Sequence, residues 1–128
     1  MEGQCEKEYY AYELAYPESM GGAVFYVGKG RKRKAWKRIV DRIDEHEIQA
    51  MLPLEDIKKR GYNVEKCQVI QFIWAYGEQI IKRKVFHADI EQEAYNFESK
   101  LIEKYGIENL TNKLLGGRSR SRLEDLAI

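Results

Sequence analysis

Glu98 is the residue of this sequence whose setting most directly suggests chemistry. At helical spacing its neighbours are Ala94 one turn before and Leu101 one turn after, so it lies beside an apolar stripe and apart from the polar face. A carboxylate directed toward a core must be paired, hydrogen-bonded or bound to a metal. Taken alone, the pattern more often means a boundary glutamate that pairs with a lysine.

Tyr12 and Tyr26 lie on two predicted strands. Residues 9–16 and 23–28 are rich in strand-forming residues, and a turn containing proline and glycine separates them. In the simplest antiparallel register Tyr12 lies opposite Tyr26, with both side chains on one face. In a chain with nine tyrosines, these could equally be ordinary strand residues. A phenol has a pKa near 10 and activates a nucleophile only where nearby cations favour its ionised form.

Cations crowd together just after the second predicted strand: Lys29, Arg31, Lys32, Arg33, Lys34, Lys37 and Arg38. The net charge of +1 predicts no particular partner, but a locally basic surface can attract polyanions. A solvated helix face explains such a charge run as well. If the surface binds phosphate, Lys29, Arg31 and Arg33 are the candidates, and Lys29 could instead lower the pKa of Tyr12. The motif GxxxxGK[ST] is absent, which argues against a nucleotide-binding P-loop.

The 128 residues suit one domain with a single core. We assign residues 1–128 to it, with a core of about 9–117 and a basic tail at 118–128. No apolar run approaches the roughly 20 residues that span a bilayer, and the acidic N-terminus lacks the layout of a signal peptide, so we expect a cytoplasmic protein without a membrane partner. The two cysteines form no CxxC pair, and the two histidines have no partner at zinc-ligand spacing.

The helices and strands that must position these residues follow from hydrophobic spacing. We predict a helix from about Arg33, a short helix at 54–59, a central strand at 66–76, which is β-branched and aromatic, and a long helix at about 88–105. With the hairpin, the order is ββααβα. The predicted fold is α/β, a small αβ sandwich with a central three-stranded antiparallel sheet flanked by helices.

Four short motifs in this order resemble the GIY-YIG nuclease family. They are the strand Tyr10–Leu14 (YAYEL), the strand 25–30 (FYVGKG), the helix with Glu98 and Tyr105-Gly106, and the closing LTN and GG of residues 110–117. The closer match is to the branch whose motifs read YxYxL and YVGKG. Each motif alone is weak, but four in the right order cover residues 9 to 117, most of the chain.

The resemblance implies roles for individual residues. Tyr12 would help to activate the water that attacks phosphorus, and Tyr26 would line the same pocket. Glu98 would hold one divalent metal, usually Mg²⁺ (or Mn²⁺), and Asn112 would support the architecture of the site. One metal together with cationic side chains can neutralise charge that develops on the phosphate oxygens.

The sequence departs from the family at the first helix. The branch places an arginine four residues before a histidine there, and counting from Gly28 the matching positions are Lys34 and Arg38. Lysine is a poorer bidentate partner for phosphate than arginine, and arginine cannot serve as a base. Arg33 or Arg38 could take the arginine's role. Alternatively, Arg42 and His46, also four apart, could form the pair if the helix is shifted, although they are far from the hairpin in sequence.

The sequence therefore predicts a metal-dependent endonuclease, with DNA favoured over RNA only by the family's habit. A noncatalytic nucleic-acid-binding module that keeps the fold is the first alternative, and the Lys34/Arg38 departure is the feature that favours it. A protein-interaction domain with an aromatic surface is the second. Target, pathway and oligomeric state, including a homodimer, stay open.

Overall fold

The fold is an antiparallel sheet with helices on both faces. The computed structural model describes residues 7–32 and 40–112. Its elements are the strands β1 (Tyr9–Ala15), β2 (Val24–Arg31) and β3 (Ile81–Ala88), and the helices α1 (Arg42–Ala50), α2 (Leu54–Lys59), α3 (Val64–Ala75) and α4 (Glu91–Tyr105). Short 3₁₀ turns lie at Glu18–Met20 and Ile107–Asn109. No helix within the described ranges is long and apolar enough to span a bilayer.

The central strand β1 contributes to two hydrophobic clusters, one on each face of the sheet. In the described part of the chain the sheet has the order β2-β1-β3, so β1 is paired on both sides. Tyr10, Tyr12 and Leu14 join the core cluster that α1, α2 and α3 complete. Ala11, on the opposite face, packs with Leu101 and the rest of the cluster on α4. Alternate residues of a strand point to opposite faces, so a strand buried on both sides has almost no exposed residue. The predicted α/β sandwich with a three-stranded antiparallel sheet is confirmed.

The predicted strand at 66–76 is wrong, because this segment belongs to helix α3. The Asn63 side chain caps the helix by accepting a hydrogen bond from Lys66 N at 3.0 Å. Cys67, Ile70 and Ile73 are buried. A short, largely apolar helix has little periodic contrast and resembles a buried strand in sequence.

The third strand is β3, which the sequence concealed. It contains Lys82, Arg83 and Lys84, and charged residues are unfavourable in most strands. β3 pairs only with β1 in the described structure, so it lies at a sheet edge, where charged side chains are common because they prevent edge-to-edge association.

The predicted register of the hairpin is also wrong, by two residues. Tyr12 pairs with Gly28, and Tyr26 pairs with Leu14. The turn is longer than the simplest hairpin, with Tyr16 N donating to Ala23 O at 2.8 Å, and the pairing is irregular after Leu14. A shift by an even number of residues preserves the face of every side chain. The predicted placement of both tyrosines on one face is therefore kept.

The helix boundaries agree in part. The short helix predicted at 54–59 is confirmed, and α4 begins at Glu91, three residues later than expected, because β3 continues to Ala88. The helix expected from Arg33 is described only from Arg42 onward, as α1, since residues 33–39 lie outside the described residues.

Candidate active site

A cleft of about 640 Å³ lies beside strand β2 and is lined by residues from β1, β2, α1, α3 and α4. It brings together residues far apart in sequence, including six of the predicted site residues: Tyr12, Tyr26, Lys29, Arg31, Glu98 and Asn112. Convergence of polar and titratable groups in one concavity is typical of a functional site.

Two glycines of β2 make room for the aromatic side chains of β1. A Cβ atom built on Gly28 would lie 2.4 Å from Tyr12 Oη. One on Gly30 would lie 2.6 Å from the Tyr10 ring and 2.8 Å from Arg42 Cβ. Each ring lies over the glycine that faces it across the ladder. The GKG sequence is therefore required by the packing of the tyrosines, and it fixes where Tyr12 places its hydroxyl group.

Tyr12, Tyr26 and His46 form an aromatic group at the base of the cleft. The ring centroids of Tyr12 and Tyr26 are 6.3 Å apart, and His46 lies 5.6 Å and 4.7 Å from them, respectively. Tyr12 Oη and His46 Nε2 share a hydrogen bond of 2.5 Å. Tyr12 is fully buried and His46 is 2% exposed. The tight packing holds the Tyr12 hydroxyl group in one position.

Arg42, the first residue of α1, lines the cleft with the two tyrosines. The start of the helix is fixed to the sheet by Tyr10, whose hydroxyl group donates to Asp41 and accepts from Ile43 N at 3.3 Å. The positive charge of Arg42 lies close enough to Tyr12 and Tyr26 to lower the pKa of both hydroxyl groups.

The protonation of the two tyrosines reflects burial first. Burial raises the pKa of Tyr12 well above its ordinary value, the neighbouring Tyr26 raises it further, and the Arg42 charge lowers it. Burial likewise raises the pKa of Tyr26, against the lowering effect of Arg42. Both are neutral phenols in the free protein. The cation that favours the Tyr12 phenolate is thus Arg42, the role the sequence had suggested for Lys29.

Glu98 reaches the cleft from α4, and its carboxylate is the least satisfied group there. Glu98 is 8% exposed, and its Oε1 atom has no hydrogen-bond partner among the described residues. Burial raises its pKa to about 7, while the charges of Lys29 and Arg42 lower it. A buried carboxylate without a partner needs an explanation, and a cation that the protein binds would supply one.

Glu98 does not belong to a larger cluster of metal-ligating side chains in the described structure. Within residues 7–32 and 40–112, no three His, Cys, Asp or Glu side chains are grouped as metal ligands. Mg²⁺ commonly binds through one or two carboxylates and keeps several waters or substrate phosphates as its other ligands. One orphaned carboxylate in an open cleft fits this pattern, and it does not fit a closed zinc site.

The rim of the cleft is basic but neutralised in the free protein. Lys29 Nζ lies 2.9 Å from Glu91 Oε2, and the Lys29 side chain is 30% exposed. Arg31 pairs with Glu8 and lies over the Tyr9 ring, with 5.7 Å between the guanidinium carbon and the ring centroid. Such exposed pairs are weak and can be exchanged for other anions.

Asn112 attaches the end of the described chain to the strand that carries Tyr26. Its Oδ1 accepts from Val27 N at 3.0 Å, and its Nδ2 donates to Val27 O at 2.7 Å. Thr111 N and Oγ1 both donate to Phe25 O, at 2.7 Å and 2.9 Å. This segment covers the free edge of β2 and holds it in place, while the role of Asn112 in supporting a site stays a prediction.

The proposed replacements for the family's arginine and histidine divide into two groups. Arg33, Lys34 and Arg38 lie outside the described residues. Arg42 and His46, the alternative pair, both line the cleft. His46 is hydrogen-bonded to Tyr12, and the charge of Arg42 lowers the pKa of Tyr12. Sequence reasoning missed two further residues, Gln49 and Lys66, which lie behind His46. The sequence offered one signal for Lys66, since it is a lysine at the start of the apolar segment 66–76, which was expected to be buried.

An α/β domain with helices on both faces of its sheet holds two tyrosines, an arginine, a histidine and a buried glutamate in one cleft, an arrangement that resembles the GIY-YIG nuclease class. The sequence model of the protein family described as the LEM-3-like GIY-YIG domain matches residues 17–123, and the chain belongs to this family. The matched segment includes Tyr26, Arg42, His46 and Glu98. Tyr12 precedes it, so its assignment to the site rests on geometry.

The relatives are much longer proteins. The chain is 29% identical over 99 residues to the Ankyrin repeat and LEM domain-containing protein 1 homolog of Caenorhabditis elegans. The aligned segment covers 77% of this chain and 13% of that protein. The chain is also 29% identical over 94 residues to Ankyrin repeat and LEM domain-containing protein 1 of Homo sapiens, over 73% of this chain and 14% of that protein. The chain therefore spans only a small part of these relatives. No solved structure matches it.

Proposed function

We propose that this chain is an endonuclease that hydrolyses phosphodiester bonds, with DNA as the substrate and one divalent cation, Mg²⁺ or Mn²⁺, held by Glu98. The observation that carries the proposal is the buried Glu98 carboxylate, which has no hydrogen-bond partner for Oε1 among the described residues and shares a cleft with Tyr12 and Arg42. Perturbed carboxylates and tyrosines beside a cation are typical of catalytic sites.

The protein side chains divide the work between nucleophile and phosphate. Tyr12 first gives up its phenolic proton to solvent, a step made easier by the positive charge of Arg42. The phenolate then accepts a proton from the attacking water as the water oxygen bonds to phosphorus, which returns Tyr12 to the neutral phenol. Arg42 also donates to a non-bridging oxygen of the phosphate, for which its planar group is well suited. The bound metal would neutralise charge on the phosphate and on the leaving oxygen.

The basic rim guides the nucleic acid. Lys29 and Arg31 exchange their glutamate partners for phosphates on either side of the scissile bond. Arg33, Lys34 and Arg38 follow in sequence, and we expect them to add to the positive charge available to the nucleic acid. Binding of this kind weakens steeply with salt.

The alternative of a noncatalytic binding module was favoured by Lys34 and Arg38, which stand where the family has an arginine and a histidine. Arg42 and His46 are also four residues apart, on α1, and both line the cleft. This supports the catalytic proposal over the binding module.

Incubation with supercoiled plasmid in Mg²⁺, Mn²⁺ or EDTA tests the proposal. We expect nicking that requires the metal, disappears in Glu98→Gln and persists in Glu103→Gln, an exposed glutamate on the same helix. Duplex RNA of the same sequence serves as the second substrate. Salt-sensitive binding without cleavage, under all metal conditions, would reject the nuclease and leave the binding module.

The same assay identifies the phosphate-binding cation. Arg42→Ala should lower the cleavage rate about 10²- to 10³-fold, as expected when one preorganised donor is removed. Lys34→Ala and Arg38→Ala should weaken DNA binding and leave the rate at saturating DNA close to that of the parent. The reverse result would return the catalytic role to Lys34 or Arg38.

A further inference from the structure

Lys66 is a buried lysine whose position the proposed chemistry does not yet use. It lies in the first turns of α3 and is 3% exposed. Its Nζ donates to Gln49 Oε1 at 2.7 Å and lies 2.7 Å from His46 Nδ1. No carboxylate among the described residues forms an ion pair with it. Since an ammonium group is costly to bury without a counter-ion, its retention beside a histidine of the cleft calls for a role.

The contact with Lys66 determines which ring nitrogen of His46 carries the proton. A charged lysine has three N–H donors and no acceptor, so His46 Nδ1 must be the acceptor in their hydrogen bond. A neutral imidazole with an unprotonated Nδ1 carries its hydrogen on Nε2. His46 Nε2–H then donates to Tyr12 Oη, which lies 2.5 Å away.

We propose that Lys66 is a positioning residue that holds His46 in the Nε2–H form, so that His46 donates a hydrogen bond to the oxygen of Tyr12 and does not accept its proton. The inference rests on the proposed function for its catalytic consequence, because it assigns His46 the task of stabilising negative charge on Tyr12. The opposite assignment, with His46 as a base toward Tyr12, requires hydrogen on Nδ1, where it would face the N–H donors of Lys66.

The charges around His46 agree with this assignment. Burial lowers the pKa of His46 to about 2, and the positive charges of Lys66 and Arg42 lower it as well. His46 therefore stays neutral where the protein is folded. Burial lowers the pKa of Lys66 to about 8, which still leaves it mostly charged at pH 7. The His46 donor and the positive charge of Arg42 thus both favour negative charge on the Tyr12 oxygen.

The ring nitrogens of His46 can be observed directly by long-range ¹H–¹⁵N NMR of the ¹⁵N-labelled protein at pH 7. The chain has only two histidines, and His87→Gln removes the signals of the other, which is exposed. We expect His46 Nδ1 to show the shift of an unprotonated nitrogen and Nε2 that of a protonated one. A protonated Nδ1 would overturn the proposal, and this measurement needs neither a Lys66 variant nor nuclease activity.

A Lys66→Met variant then tests whether Lys66 is what holds His46 in the Nε2–H form. Methionine keeps the apolar stem and removes the charge, and Lys59→Met, at an exposed position, is the control. We expect the NMR signature of His46 to change in Lys66→Met alone, through a shift of its hydrogen to Nδ1 or a rise of its pKa into the titratable range. An unchanged His46 signature in the folded variant would overturn the proposal.

Cleavage by the same variants separates the two proposals. Loss of a residue that orients a catalytic group typically lowers activity about 10- to 100-fold. We expect such a loss for Lys66→Met, with DNA affinity unchanged and partial recovery in Lys66→Arg. Should the parent protein fail to cut any substrate while His46 carries hydrogen on Nε2, the proposed function fails and the positional role of Lys66 stands. Full activity in Lys66→Met would overturn the role of Lys66 alone.

Discussion

Replacement of Glu98 by glutamine should make the metal-free protein more stable, although it removes the residue on which the proposed chemistry depends. The reason is the cost of burying an ionised carboxylate. Burial raises the pKa of Glu98 to about 7 from an ordinary value of 4.5. At about 1.4 kcal/mol for each pH unit, this difference corresponds to roughly 3 kcal/mol once the group is ionised in both states. Glutamine retains the shape and carries no charge.

The pH dependence has a defined sign. Below about pH 4.5 Glu98 is protonated in the folded and unfolded states, so the substitution should change little. Between 4.5 and about 7 the unfolded chain loses the proton first, and the parent protein loses stability as the pH rises. Above about 7 the full difference is present. Urea denaturation of both proteins in EDTA, from pH 4 to 8, measures it.

Metal should reverse this order at neutral pH. A ligand that binds only the folded state stabilises it by about 2.7 kcal/mol at 100 times its dissociation constant, so Mg²⁺ should stabilise the parent protein and leave Glu98→Gln unchanged. Glu103→Gln, at an exposed position of α4, should behave like the parent in both respects. If Glu98→Gln is no more stable than the parent at pH 8 in EDTA, the carboxylate has a partner and our explanation of its burial is refuted.

Three further substitutions test how the cleft is built. Gly28→Ala places a methyl group 2.4 Å from Tyr12 Oη, so the ring must move; we expect plasmid cleavage to fall about 10²-fold, and normal cleavage by a folded variant would contradict the packing argument. Asn112→Ala removes both hydrogen bonds to Val27 and should lower the free energy of unfolding by roughly 1–3 kcal/mol in urea denaturation, whereas no change would show that β2 is held otherwise. Because burial holds the pKa of His46 at about 2, the unfolded chain binds a proton below about pH 6.5 that the folded chain does not. The free energy of unfolding therefore decreases as the pH decreases below 6.5. His46→Gln should therefore show a smaller decrease in stability between pH 6.5 and 5, and an equal slope in both proteins would indicate that another group titrates.

Local pattern was sufficient to predict the hairpin and the fold class, and it singled out Tyr12, Tyr26, Glu98 and Asn112, which line one cleft. Each depends on spacing within one element or on a short motif, and the face of Tyr12 and Tyr26 is kept even when the register shifts by two. The family was recognisable for the same reason. Glu98 was placed beside the apolar stripe of its helix, and it is indeed buried.

Where local pattern conflicted with tertiary context, the sequence misled. The segment 66–76 has the composition of a central strand but forms helix α3, since a buried helix shows little polar–apolar contrast. The charged strand β3 satisfies its cations at a sheet edge through acidic residues of α1 and β1, such as Asp44 for Lys82 and Glu13 for Arg83. These partners are distant in sequence and could not be anticipated from it.

The sequence by itself determined which residue types the cleft contains, because glycine, tyrosine and glutamate at fixed spacings impose local geometry. Only the tertiary structure decided which cations join them. Arg42 and His46 enter the cleft because Tyr10 anchors the first turn of α1 to the sheet, and Lys66 reaches His46 because α3 packs against α1. Helical periodicity describes one helix at a time, whereas the side of a helix that faces a cleft is set by what it packs against.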